Sequence, residues 1–358
     1  MQDHEAVNWG TPMRHIAKII ARQIPAIDNL MKQRDDLLCE VAALRRRRDA
    51  AAAEREALFG AEPDHGRHLS RTDKLLTGID RSMRILEIGA SYNPTVPKAA
   101  GWHAFVVDHA TQAELQQKYA ELGPLAANIE PVDFVCRGGP VEDAIPDGLH
   151  GTFNACITSH VIEHVPDPIS LFRSFDRLLA PDGIVSFAIP DKRFCFDFFR
   201  PLTMAPAWLE AFERRATRHS RRAILEMSAY NMNNGDRIAW GQEEAGMAPR
   251  LTSELAPAKS VSDSAGMADD SSYVDCHAWC FTPSSFELLF LELGALALID
   301  FRIEHIFPTA GCEFFVTFRK GRPGLSAQGL QDRRLVLLRA MVDDLARQAA
   351  CMNRCWEH

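Results

Sequence analysis

From Met83 onward the chain alternates short apolar runs with amphipathic stretches, and this alternation constrains the fold more than any other feature. The apolar runs fall at residues 85–88, 105–107, 132–135, 155–157 and 184–189. Helical patterns separate them at 114–122 and at 169–179, the second with Ile169, Phe172, Phe175 and Leu179 on one face. Pro181-Asp182-Gly183 supplies a turn into the next run. Apolar strands alternating with amphipathic helices imply an α/β fold: a mostly parallel sheet with right-handed crossovers.

The rest of the 358 residues is arranged around that unit. Residues 1–60 read as a helical arm. After Pro25, the residues Leu30, Leu37, Leu44, Ala51 and Leu58 recur every seven positions. The companion seam of Ile27, Arg34, Val41, Arg48 and Arg55 is half apolar. The pattern reads either as a short coiled coil driving homo-oligomer formation through residues 25–58 or as a helix packed on its own domain. Residues 61–80 are expected to be a linker, 81–320 the α/β domain and 321–358 a C-terminal helix. Within the domain, 201–275 is an insertion that reads as a substrate lid. Residues 208–229 are basic and helical, whereas 241–272 lack periodicity and are expected to be partly disordered. Thr282-Pro283 opens another helix, followed by strands at 297–303 and 313–318, close enough to pair antiparallel.

Composition excludes several function classes. A formal charge of −8 argues against a nucleic-acid partner. The most apolar stretch, 286–301, is interrupted by Glu287, Glu292 and Asp300, which argues against a transmembrane segment. Nine scattered cysteines and polar opening residues lead to the expectation of a reduced, cytoplasmic protein. The pairs Cys276/Cys280 and Cys351/Cys355 have three intervening residues, where structural zinc sites commonly have two, so no metal is expected.

In an open parallel sheet, ligands bind beyond the carboxyl ends of the strands. After the first strand comes Glu87-Ile88-Gly89-Ala90-Ser91-Tyr92-Asn93-Pro94. Gly89 allows close backbone approach, and Pro94 suits the first turn of a helix. Asp108 ends the second strand, where an acidic residue accepts hydrogen bonds from ribose hydroxyls. A dinucleotide fingerprint needs three glycines. Here only Gly89 is present, and Glu87 sits beside it. That charge suits the cationic amino group of S-adenosylmethionine better than a pyrophosphate; NAD-dependent hydride transfer is the competing reading.

The segments Arg84-Ile85-Leu86-Glu87-Ile88-Gly89, Asp108, 153–165 (with Ser159-His160-Val161-Ile162-Glu163-His164) and 178–184 resemble the successive motifs of class I S-adenosylmethionine-dependent methyltransferases. The likeness spans about residues 80–200 plus the terminal strands. It implies a Rossmann-like seven-stranded, mostly parallel sheet with an antiparallel terminal pair. It also implies S-adenosylmethionine as cofactor, with Glu87 and Gly89 at the methionine end, Ser91 in the same loop, Asp108 on the ribose and Ser159 bordering the methyl group. Two departures stand out: Ser91 and Asn93 replace further loop glycines, and Arg137-Gly138-Gly139 occupies the usual adenine-side acidic position, with Glu142 or Asp143 as replacements.

A similarity of 189–194 and 277–283 to bacterial subgroups associated with glycans makes a small molecule or a glycan the expected acceptor. O-methylation requires removal of a hydroxyl proton, for which His160 and His277 are the candidate bases; the alternative is that each donates to a backbone carbonyl. His164 reads as structural. Asp191 and Arg193, after the fifth strand, read either as acceptor contacts or as a surface ion pair. The altered loop also supports a non-catalytic, cofactor-binding scaffold assembling through the N-terminal helix.

Overall fold

The computed structural model describes residues 69–242, 248–267, 273–322 and 324–356. The arm over residues 1–60, with its seam at 25–58, lies outside the described residues. Strand β1 (Ile85–Ile88) is buried at all four positions. A central parallel strand has both faces covered, which is why it reads as a continuous apolar run. β2 (Ala104–Asp108), β3 (Phe134–Val135), β4 (Phe153–Ser159) and β5 (Leu179–Pro190) lie parallel to it and to one another. Later in the chain, β6 (Met232–Asn234) and β7 (Pro249–Leu251) make a separate antiparallel pair. β8 (Phe301–Ala310) and β9 (Glu313–Lys320) return to the main sheet, whose order is β3-β2-β1-β4-β5-β9-β8. Both β5–β9 and β9–β8 are antiparallel, as expected for the terminal pair.

The helices follow local chemistry. α1 (Arg71–Leu75) is started by a capping box between Ser70 and Asp73. α2 (Gln112–Lys118) has the same device from Thr111 and Glu114. It stops before the expected end at 122, and the chain continues as 3₁₀ turns across a kink at Gly123, followed by Pro124. α3 (Pro168–Leu178) has Asp167 as N-cap, with proline in its first turn. Its Ile169, Phe172, Phe175 and Leu178 pack into the core, while Leu179 has already entered β5.

The insertion contains more regular structure than its composition suggests. α4 (Ala205–Glu213) and α5 (Arg221–Tyr230) break the expected helix in two, with Arg215 in the left-handed region between them. β7 and α6 (Leu255–Met267) fall inside the stretch expected to be disordered. α7 (Pro283–Ala295) is capped by Thr282, and α8 (Ala327–Trp356) lies within the 321–358 span expected for a C-terminal helix.

Two other expectations need correction. No helix follows Pro94 directly: a loop runs to Pro97, then a single 3₁₀ turn (Lys98–Ala100) leads into β2. Residues 70–80 are also not free linker. Leu75 is fully buried, and its carbonyl accepts a 2.7 Å hydrogen bond from Ser186 Oγ on β5. A five-residue helix carries too little periodicity to be seen in the sequence, although its capping residues were visible.

Candidate active site

Four strand ends and one antiparallel strand start meet at one edge of the sheet. After β1, Gly89 adopts φ +71°. A Cβ there would lie 2.8 Å from Val161 Cγ2, so the loop after β1 and the turn after β4 touch at a point that only glycine permits. Ser91 carries a side chain at φ +47°, and its Oγ is buried with no hydrogen-bond partner. Glu87 is buried and accepts from Thr95 N at 2.6 Å and Val96 N at 3.2 Å. Its carboxylate therefore braces the loop after β1 through those two N–H groups. Burial raises its pKa against the lowering pull of those N–H groups.

Asp108 ends β2, and its Oδ1 accepts from His109 N at 2.7 Å. Oδ2 is buried and has no partner. An unpaired carboxylate oxygen is costly to bury unless a ligand donates to it. Beyond β3, Glu142 pairs with Arg177 through Oε1, while its Oε2 is without a partner.

The turn after β4 gathers ionisable groups. His160 adopts φ +53°, uncommon for a residue with a side chain. Its Nε2 lies 2.9 Å from Glu313 Oε2, and its Nδ1 lies 3.5 Å from Glu163 Oε1. Glu313 reaches the site because β9 is antiparallel: its first residue pairs with Pro190, the last residue of β5. Burial pulls the His160 pKa down, but the two carboxylates outweigh it and raise it to about 10. His160 therefore holds its proton at neutral pH. Both of its ring nitrogens face carboxylates, an arrangement that favours the protonated ring. Ser159 Oγ accepts from Arg71 Nη2 at 2.6 Å, and Arg71 also bonds Glu313 at 2.7 Å. Arg71 was assigned to the linker and was missed for that reason.

His277 is buried, with Nδ1 2.5 Å from Asp197 Oδ2. Asp197 also accepts from Arg200 at 2.5 Å. His164 Nδ1 lies 2.8 Å from Asp275 Oδ1. The His164 and His277 rings meet edge to face at 4.6 Å between centroids. Between them, Glu163 is 0% exposed and neither carboxylate oxygen has a hydrogen-bond partner. Burial would raise its pKa, but the neighbouring His160, His277 and His164 charges hold it below the usual range. Glu163 was quoted in the sequence motif but given no role; a lone glutamate in an apolar turn was the available signal.

Asp191 and Arg193 do not line open space. Arg193 Nη2 bonds Asp191 at 2.5 Å and Nη1 bonds Asp344 on α8 at 2.6 Å, all three residues being buried. The pair is neither an acceptor contact nor a surface ion pair; it ties the end of β5 to α8. Burial pushes the Cys276 thiol up to about 12 and that of Cys280 well up, so both stay protonated.

An open sheet in this strand order, with an orphaned acid after β2 and a glycine-permitted loop after β1, defines a Rossmann-like enzyme built for a nucleoside cofactor. Residues 45–245, more than half of the chain, match a family described as a methyltransferase domain, and the chain belongs to that family, the class I S-adenosylmethionine-dependent methyltransferases. Among curated proteins it is 29% identical over 112 residues to a ubiquinone biosynthesis O-methyltransferase of Neisseria meningitidis serogroup C (strain 053442), covering 31% of this chain and 46% of that one. It is 36% identical over 76 residues to the enzyme of the same name from Chromobacterium violaceum, covering 21% of this chain and 31% of the other. The chain thus spans less than half the length of these relatives. A SAM-dependent methyltransferase from Aquifex aeolicus overlays with a TM-score of 0.33 at 12% identity, covering 70% of this chain and 89% of that one. The family's cofactor, S-adenosylmethionine, fits the groups present: Asp108 Oδ2 and Ser91 Oγ are buried acceptors awaiting donors, and Gly89 leaves room for backbone approach.

Proposed function

We propose that the chain transfers a methyl group from S-adenosylmethionine to a hydroxyl oxygen of a small molecule. The observation that carries this reading is the buried, unpartnered Asp108 Oδ2 at the end of β2, within a chain of the methyltransferase-domain family. The names of the partial-length relatives support oxygen as the methylated atom. When bound, the cofactor would supply an electrophilic sulfonium methyl, which an acceptor oxygen attacks in line from the side opposite sulfur, with S-adenosylhomocysteine as the leaving group.

The protein's share is positioning and proton handling. Asp108 Oδ2 accepts a ribose hydroxyl, Ser91 Oγ supplies a second polar contact, and Glu87 keeps the loop in shape by holding Thr95 and Val96. Ser159 Oγ, which accepts from Arg71 Nη2, keeps its own O–H to donate to an incoming oxygen, while both His160 ring nitrogens face Glu313 and Glu163. Because His160 already holds its proton, the acceptor's proton must leave elsewhere. The cluster of Glu163, His164 and His277 adjoins this corner. The insertion at 201–275 leads directly into His277 and fits a cover over the acceptor.

Titration calorimetry with S-adenosylhomocysteine tests the cofactor half: one site per chain is expected, and no detectable heat would refute the reading. Transfer of labelled methyl from the cofactor into a fractionated cell extract, followed by analysis of the product's ether bond, tests the acceptor half.

A further inference from the structure

We propose that Glu163, His164 and His277 bind one first-row divalent cation of the zinc or iron(II) class through two imidazole nitrogens and one carboxylate. One donor atom from each residue lies within 4.8 Å of the other two. Donors around a tetrahedral ion with bonds of about 2.1 Å are roughly 3.4 Å apart, so small side-chain rotations close the set. Glu163 Oε1 is 4.0 Å from His164 Nε2.

Three independent features single out this trio. The first is the unpartnered carboxylate. Glu163 is 0% exposed and both its oxygens lack hydrogen bonds; His160 Nδ1 stands 3.5 Å from Oε1, and a cation between the other two rings would add the direct ligation that this looser pair lacks. The second is the outer layer. Asp197 holds His277 Nδ1 at 2.5 Å, and Asp275 holds His164 Nδ1 at 2.8 Å. A carboxylate on one ring nitrogen fixes the tautomer and leaves Nε2 with its lone pair for a metal. Two adjacent histidines carrying the same arrangement are not needed for packing alone. The third is rigidity. Ala278 N donates to Glu163 O at 2.7 Å, Trp279 Nε1 to Val165 O at 2.7 Å, and Tyr273 Oη to His164 O at 3.1 Å. These bonds lace the segment carrying His277 to the turn carrying the other two ligands.

The donor chemistry selects the ion. Two imidazoles and one carboxylate suit zinc and iron(II), whereas magnesium and calcium prefer all-oxygen sets. Cys276 and Cys280 are not among the three donors that converge here. Three protein ligands leave a coordination position open. Resting on the methyl-transfer reading, that position takes the acceptor's oxygen and releases its proton to water.

The test uses the full chain stripped with a chelator and titrated with Zn²⁺ against a chromophoric competitor. One equivalent per chain is expected in the wild type, with affinity at least 100-fold weaker in Glu163→Gln and in His277→Gln. No stoichiometric binding, or equal affinity in both variants, overturns the site. Co²⁺ loaded into the wild-type protein should show ligand-field bands without a thiolate charge-transfer band; a thiolate band would assign the ion to cysteines and overturn it as well, whatever the folding of the variants. S-adenosylhomocysteine binding on the same samples separates the two readings. Its absence in the wild type refutes methyl transfer alone, while its retention in Glu163→Gln alongside lost Zn²⁺ supports the metal site on an intact fold.

Discussion

At the scale of single residues, the site rests on a few atoms left without partners. Asp108 Oδ2 is the clearest for the cofactor. A hydrogen bond to a charged acceptor contributes about 1.5–3 kcal/mol, so Asp108→Ala should weaken S-adenosylhomocysteine binding roughly 10- to 100-fold by calorimetry. The thermal midpoint should fall only slightly, because the change loses the bond from His109 N to Oδ1 but also removes the buried, unpartnered Oδ2. Gly89→Ala acts differently: its Cβ would press on Val161 Cγ2 at 2.8 Å, at a φ of +71° that costs about 1 kcal/mol or more. Both binding and thermal stability should fall in that variant, and an unchanged melting curve would contradict the contact. The positions of these two residues at strand ends were legible because strand ends and glycine positions are local features. Glu87 shows the limit of such reading. Its charge was visible beside the loop, but that its two oxygens would be taken up by Thr95 and Val96 depends on a fold of the loop that no spacing reveals.

At the scale of elements, alternation located the sheet but not its accessories. β1 to β5 and α3 were legible because burial on both faces produces continuous apolar runs and burial on one face produces a stripe. α1 was not, since five residues cannot show a stripe, and with it went Arg71. The acids around the histidines were also hidden. Asp197, Asp275 and Glu313 lie far in the chain from the rings they meet, those of His277, His164 and His160 respectively, and reach them only through the turn after β5, the end of the insertion and the antiparallel start of β9. The tie between the end of β5 and α8 makes a prediction at this scale. Asp191 accepts from Arg193 and also from Thr309 Oγ1 at 2.6 Å, with no exposure to water. Removing one partner of a buried pair strands the other, so Asp191→Ala should cost about 3 kcal/mol, read as a lower urea midpoint at unchanged slope. A cost below 1 kcal/mol would mean that Asp344 alone satisfies Arg193.

For the whole molecule, the question is where the folded unit begins. The alternating pattern starts at Met83, which suggests a domain from residue 81, yet the sheet is closed from below by residues ahead of that point. Leu75 is fully buried and Ile79 nearly so, both packing against Ile85, Ala155, Ile184 and Phe315. Lys74 lies over the Phe315 ring at 5.2 Å, and Ser186 Oγ donates to the Leu75 carbonyl at 2.7 Å. Each buried Leu or Ile contributes about 1.5–3 kcal/mol, so losing both removes roughly 3–6 kcal/mol from a stability that for most proteins totals only about 5–15 kcal/mol. A chain beginning at Gly66 should therefore unfold cooperatively in urea and bind S-adenosylhomocysteine as the full chain does. A chain beginning at Arg81 should show a much lower midpoint or no cooperative transition, and it should also lose the Arg71 contacts to Ser159 and Glu313. Equal midpoints for the two truncations would mean that α1 is an ornament on the sheet, and the domain would then begin where the strand pattern does.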